Sequence, residues 1–242
     1  MDLVKAQWQP ATIPAFEAYL RSLGKPDKVA WTQRIVNTKR PVLAIPTPTL
    51  RAIAKEIKRG NALSFLDLRI FSTHESTIIH GIILSQLTDL ALLEQYLVAY
   101  ANQVDNWAAC DLLSFKVKGR EAQFLRLAQQ FVQSENLFLR RIGLIILFKL
   151  VNDTYIDAVL AIVDSLQNET EYYVNMAVAW LLCDCFIKQR DKTWAFWQSH
   201  HLQPFVARKF VSKCHDSCRV SAADKQLLRD DLASRNKSRA SW

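Results

Sequence analysis

The sequence predicts an all-α chain, an α-solenoid of helix-pair repeats with a concave basic groove. Three observations carry this. The 242 residues include only 5 Gly and 7 Pro, and six of those prolines fall before residue 50, so the remainder is free to be almost continuously helical. Apolar residues recur at three and four spacing in NLFLRRIGLIILFKL (136–150) and YYVNMAVAWLLCDCFIK (172–188), and neither segment alternates like a strand. Helix starts follow polar clusters near Thr73, Asp105, Glu135, Glu171 and Gln203, about 30 to 36 residues apart, the period of a helix pair. A single pair cannot bury both of its faces, so neighbours must stack, with the second helix of each pair lining the concave side.

Taken in order, the region 34–50, RIVNTKRPVLAIPTPTL, departs from the helical pattern. β-Branched residues, three prolines and a polar NTKR centre suit a short β-hairpin or an extended loop, with Lys39 and Arg40 at its tip. LLEQYLVAYANQ, REAQFLRLAQQFVQ and YIDAVLAIVDSLQ are the outer helices of successive repeats. The expected domain is 1–233. Residues 234–242, basic and poor in apolar side chains, are expected to be a flexible tail.

Half the residues are hydrophobic, enough to bury a substantial core. A net charge of +8 favours a polyanionic partner, most commonly nucleic acid. No apolar run approaches the ~18–20 residues of a spanning helix, and the start, MDLVKAQWQPATIP, lacks the basic opening and apolar core of a secretory signal. The expectation is a cytoplasmic, monomeric protein without membrane association. Five cysteines, an odd number, argue against a complete disulfide framework. Cys183 and Cys185, two residues apart on a helix, point about 200° apart and suit no common zinc.

The stretch VDNWAACDLLSF (104–115) sets Trp107 and Asp111 one helical turn apart, where a packing face would hold aliphatic residues. A desolvated carboxylate needs hydrogen bonds, a partner or a cation, and an ion pair with Lys116 or with an arginine of the next repeat would also satisfy it. In the repeat register Arg141 falls on the next inner helix and Trp180 on the one after, so all four residues face one groove. By periodicity alone Trp180 suits the core better than a cleft, and Arg140 and Arg141 point about 100° apart. Arg208, Lys209, Lys213 and Arg219 follow on the last repeat, either as a solvated face or as phosphate contacts.

The pieces NWAACD, ENLFLRRIGL and YYVNMAVAWLL, in this order and separation, resemble the AlkD-type bacterial DNA alkylation-repair proteins, HEAT-like repeat DNA glycosylases. The resemblance covers roughly residues 35–228. It implies that Trp107 and Trp180 wall a lesion cleft, that Asp111 is the catalytic carboxylate and that Arg141 lies beside the DNA backbone. Lys39, Arg40, Arg140, Arg208, Lys209 and Lys213 are the expected DNA contacts. The implied substrate is double-stranded DNA bearing cationic alkylated purines such as 3-methyladenine and 7-methylguanine, with neither metal nor cofactor. The alternative is a non-catalytic HEAT-like module for distorted or branched DNA. None of the five histidines lies in these motifs, which disfavours uncharged lesions whose leaving base needs protonation; His80, on an earlier inner helix, reads as a core or surface histidine.

Overall fold

The computed structural model describes residues 1–200 and 202–240, the last three by backbone alone. Among these residues it is all-helical and contains no strand. The chain divides into two compact units, Met1–Lys118 and Gly119–Trp242, each a stack of helix pairs in the manner of an α-solenoid.

The first unit opens with an extended segment held by Trp8 N–H to Ser64 Oγ (3.0 Å) and by Asn61 N–H to the Lys5 carbonyl (2.8 Å). A 3-10 turn, Pro10–Thr12, leads into α1 (Ile13–Leu23), α2 (Pro26–Val36), α3 (Thr47–Ile57) and α4 (Ala62–Asp67). Trp8, Phe16 and Phe65 pack edge to face with centroids 5.1–5.6 Å apart, a compact seed for this end of the core. Then follow α5 (His74–Leu84), α6 (Leu90–Ala101) and α7 (Trp107–Asp111). α5 packs against α3, α4, α6 and α7, and every one of its residues is buried. Its start is a capping box between Thr73 and Ser76, two local hydrogen bonds that the polar cluster in the sequence foreshadows.

No hairpin forms in the 34–50 region. Arg34 to Val36 end α2, and 37–46 is an extended strap. Strand pairing fails because the strap's backbone groups are taken by side chains and helix ends. Glu75 carboxylate oxygens accept from Leu43 N–H (2.9 Å) and Ala44 N–H (2.7 Å), Asp105 accepts from Lys39 N–H (2.8 Å), and the Pro41 carbonyl accepts from His74 N–H (2.9 Å). Left-handed backbone at Asn37 (φ 53°) and Ala44 (φ 57°) also breaks the pleat.

The second unit comprises α8 (Glu121–Phe131), α9 (Leu137–Leu147), α10 (Ile156–Asp164), α11 (Tyr172–Lys188), α12 (Arg190–Ser199), α13 (Pro204–Asp216) and α14 (Ala222–Ala240). α9, α11 and α13 pack in a row, with α8 on α9, α12 on α11 and α10 on α12. The row is tight: a Cβ added to Gly143 would lie 3.0 Å from Val132 Cγ1 and 3.1 Å from the Ala128 carbonyl, so α9 can approach α8 this closely only without a side chain there. α14 lies on α13 and carries 234–240 as helix. Arg235 joins it to α12, its guanidinium 4.5 Å from the Trp197 ring centroid while Asp231 accepts from Trp197 Nε1 (2.6 Å). Residues 241 and 242 of the expected tail lie outside the described residues.

Candidate functional site

α7 is only five residues long, yet its start is strongly specified. The Asn106 side chain accepts from Ala109 N–H (3.2 Å) as N-cap and donates to Asp105 Oδ1 (2.8 Å). Its Nδ2 also lies 3.4 Å from His74 Nδ1. Ala108, Ala109 and Cys110 are buried, which leaves Trp107 and Asp111, both half-buried, on the more open side of the helix. The helix stops because Ser114 N–H turns to Ser85 Oγ (3.1 Å) instead of continuing the ladder.

Trp107 Nε1 donates to the Ile35 carbonyl at the end of α2 (3.3 Å). Next to it, Asp105 gathers the strap. Thr38 Oγ1 is 2.8 Å from both Asp105 oxygens, and the Lys39 N–H and Asn106 amide donate to the same carboxylate. Burial pushes the Asp105 pKa up. The bonds from Asn106, Thr38 and Lys39, with Arg40 nearby, outweigh it and hold the carboxyl below its ordinary value. The residue sits in a sequence motif that draws attention to Trp107 and Asp111. The adjacent Asp-Asn pair is a readable capping signal, whereas its partners on the strap are not.

In the second unit, Arg141 is 4% exposed and donates to the Tyr173 carbonyl, linking α9 to α11. Trp180 lies on α11 between the buried Ala179 and Leu181 yet is itself 38% exposed, against Phe148 with centroids 4.4 Å apart. Periodicity alone assigns this indole to the core, and its exposure departs from that reading. Trp107 and Asp111 thus belong to the first unit, and Arg141 and Trp180 to the second.

The basic residues divide into two kinds. Arg40 directs its guanidinium to the Phe71 and Gln103 carbonyls, and Arg140 is locked by Glu169 (2.7 Å) and the carbonyls of Ser134 and Glu135. Both are therefore engaged as internal braces. Arg219 pairs with Asp184 (3.1 Å). On α13 Arg208 is exposed, Lys209 lies 5.8 Å from the Phe205 ring centroid and Lys213 is half-buried. Lys39 is exposed on the strap while its backbone is pinned.

His80 is a core histidine, 2% exposed, and burial, with Arg69 nearby, lowers its pKa to about 3. Cys183 lies beside Cys214, and both are buried with Cys185. Among the described residues no group of three or more His, Cys, Asp or Glu side chains is placed to hold a metal ion, and no helix is long and apolar enough to cross a membrane.

Helix pairs stacked in each unit, with a half-buried indole and carboxylate on one short helix of the first and an exposed indole on α11 of the second, define a protein of the all-helical α-solenoid class. The chain belongs to the DNA alkylation repair enzyme family, whose model matches residues 16–211. The match runs from α1 into α13 and so includes α7, α9 and α11. No curated protein matches the chain. Its role is therefore in DNA alkylation repair, with DNA as the partner that the family implies.

Proposed function

We propose that this protein is a monofunctional DNA glycosylase that hydrolyses the N-glycosidic bond of cationic alkylated purines, including 3-methyladenine and 7-methylguanine. The observation that carries the reading is the pairing of Trp107 and Asp111 on the open side of α7, with the indole held by Ile35. Exposure of Trp180 on an otherwise buried stretch of α11 supports it.

The chemistry needs little else. An alkylated purine carries a positive charge and departs as a neutral base, taking the electron pair of the glycosidic bond, so no general acid is required. Positive charge then develops on the deoxyribose. A carboxylate about 4 Å away at an effective dielectric near 20 contributes roughly 4 kcal/mol before desolvation is subtracted. Each indole face adds about 0.5–2 kcal/mol by cation–π attraction. Asp111 stabilises the cationic sugar and orients water, whose oxygen bonds to C1′ while its proton is released. Trp107 offers its face to the lesion, and Trp180 is the second indole that the resemblance assigns to lesion contact. Lys39, Arg208, Lys209 and Lys213 contact phosphates; Arg141, expected beside the backbone, is 4% exposed and donates to the Tyr173 carbonyl, so like Arg40 and Arg140 it acts as a brace within its own unit.

Incubation with duplex DNA containing 7-methylguanine tests this. The expected result is free base above the spontaneous rate and an abasic site in an unbroken strand. DNA binding without base release would instead identify a non-catalytic module for distorted DNA.

A further inference from the structure

Within the first unit, between the end of α4, α5 and α6, lies a cavity of about 170 Å³. Phe71 and Tyr100 form its aromatic walls together with the imidazole of His80, and Arg69, Tyr96 and Gln103 stand around it. The His80 ring is 4.5 Å from Phe71 and lies parallel to Tyr100 within 2°. A cavity of about 150 Å³ holds a benzene ring, so this one has room for a six-membered ring and a small substituent.

Two buried polar atoms here lack partners among the described residues, Nδ1 of His80 and Nε of Arg40. Buried polar atoms are almost always hydrogen-bonded, and each exception asks for an explanation. Arg40 lies immediately behind the cavity, since its guanidinium donates to the carbonyls of two lining residues, Phe71 and Gln103. Arg69 is exposed at the rim in left-handed backbone (φ 49°), a conformation non-glycine residues adopt at a cost. Arg69 is the exposed cation of the site, whereas the Arg40 guanidinium is held by main-chain carbonyls. Asp67 accepts from Tyr96 Oη at 2.5 Å, which fixes that phenol at the edge. His80 is neutral near pH 7, because burial and then Arg69 disfavour its charged form, so it offers one donor and one acceptor.

From this geometry we infer a binding site for a small aromatic carboxylate, its ring against Phe71, Tyr100 and His80 and its carboxylate on the guanidinium of Arg69. Arginine meets a carboxylate with two parallel hydrogen bonds, and a planar ring suits walls made of planar rings. The ring and carboxylate contacts use none of the residues assigned to base excision, Arg40 behind the cavity being the one residue named in both, so the site stands independently of that assignment.

Benzoate is the probe, followed by ¹H–¹⁵N NMR and by thermal unfolding of the full chain, with benzamide and inorganic phosphate in parallel. Benzoate is expected to shift the amides of Arg69, Phe71 and Gln103 and to raise Tm with concentration, with benzamide binding at least tenfold more weakly. Arg69→Asn removes the cation and keeps a residue that tolerates left-handed backbone; it should weaken benzoate at least tenfold without changing the far-UV circular dichroism. Ala99→Trp, which places an indole at a position lining the cavity, should abolish the shifts. Absence of benzoate binding, unchanged affinity in Arg69→Asn, or equal binding of benzamide would overturn the proposal. Phosphate binding as tightly as benzoate would overturn the requirement for a ring.

Discussion

Trp107 Nε1 donates to the main-chain carbonyl of Ile35, 3.3 Å away and 72 residues earlier in the sequence. The bond ties the head of α7 to the last turn of α2, so the indole of the proposed cleft is oriented by the N-terminal region. Trp107→Phe keeps an aromatic face and deletes this bond. A stability loss of about 0.5–1.5 kcal/mol is expected, with base excision reduced only a few-fold. Trp107→Ala should reduce excision about tenfold or more, the loss of one cation–π contact. Single-turnover release measured alongside thermal unfolding separates the two; equal losses in both variants would mean that the hydrogen bond, not the ring face, is what matters.

Asp111→Asn preserves shape and removes the charge. Single-turnover release of 7-methylguanine should fall by about a hundred- to a thousandfold, from the Coulomb energy of a carboxylate beside a cationic sugar. DNA affinity should stay within about twofold, because the contact is made in the transition state. Parallel loss of affinity and rate would show that the carboxylate is structural.

Glu75 is 1% exposed and accepts the N–H groups of Leu43 and Ala44. Glu75→Ala leaves both donors without an acceptor and should cost about 2–4 kcal/mol in urea unfolding. Glu75→Gln retains one acceptor oxygen and should lose less. If both variants are as stable as the parent, the strap does not depend on this carboxylate.

Carboxyls and histidines whose folded pKa is lowered give the stability an acid-side slope; His74, Asp224 and Asp231 belong to this set with Asp105 and His80. The Asp105 carboxyl has a folded pKa below its ordinary 3.8, so its stabilising contribution is present above that value and is lost as pH falls through the folded one. His80 has a folded pKa of about 3 against an ordinary 6.5. Between these values the unfolded chain binds a proton that the fold excludes, so stability is complete above about pH 6.5 and declines towards pH 3, by at most about 1.4 kcal/mol per pH unit from this group. Urea midpoints measured from pH 7.5 to pH 4 should show the decline, and His80→Phe should flatten it. An unchanged slope in that variant would show that His80 titrates normally.

Arg208 and Arg140 should separate in salt titrations of DNA binding. Arg208→Ala is expected to lower the slope of log K against log salt by about one while leaving stability within about 0.5 kcal/mol. Arg140→Ala strands the Glu169 carboxylate, whose side chain is 5% exposed, and should cost about 3 kcal/mol of folding stability. The reverse pattern would make Arg140 the phosphate contact.

The sequence by itself determined eight of the helices between residues 73 and 216, because helix signals are local. The starts read near Thr73, Asp105, Glu135, Glu171 and Gln203 appear as α5, α7, α9, α11 and α13, each with its N-cap within one residue. The three outer helices fall on α6, α8 and α10. The ordered motifs around Trp107, Arg141 and Trp180 also suffice for the family. What only the tertiary structure decided depends on pairings between distant residues. The 34–50 region is a strap and not a hairpin because Glu75 and Asp105, 31 and 66 residues beyond their backbone partners, accept its N–H groups. Arg40 and Arg140 became braces for the same reason, since the Gln103 carbonyl and Glu169 that hold them lie 63 and 29 residues away. Burial of Arg141 beside exposure of Trp180 likewise follows from how α9 and α11 pack. Periodicity places a residue on a helix face, but the neighbouring helix decides whether that face meets solvent.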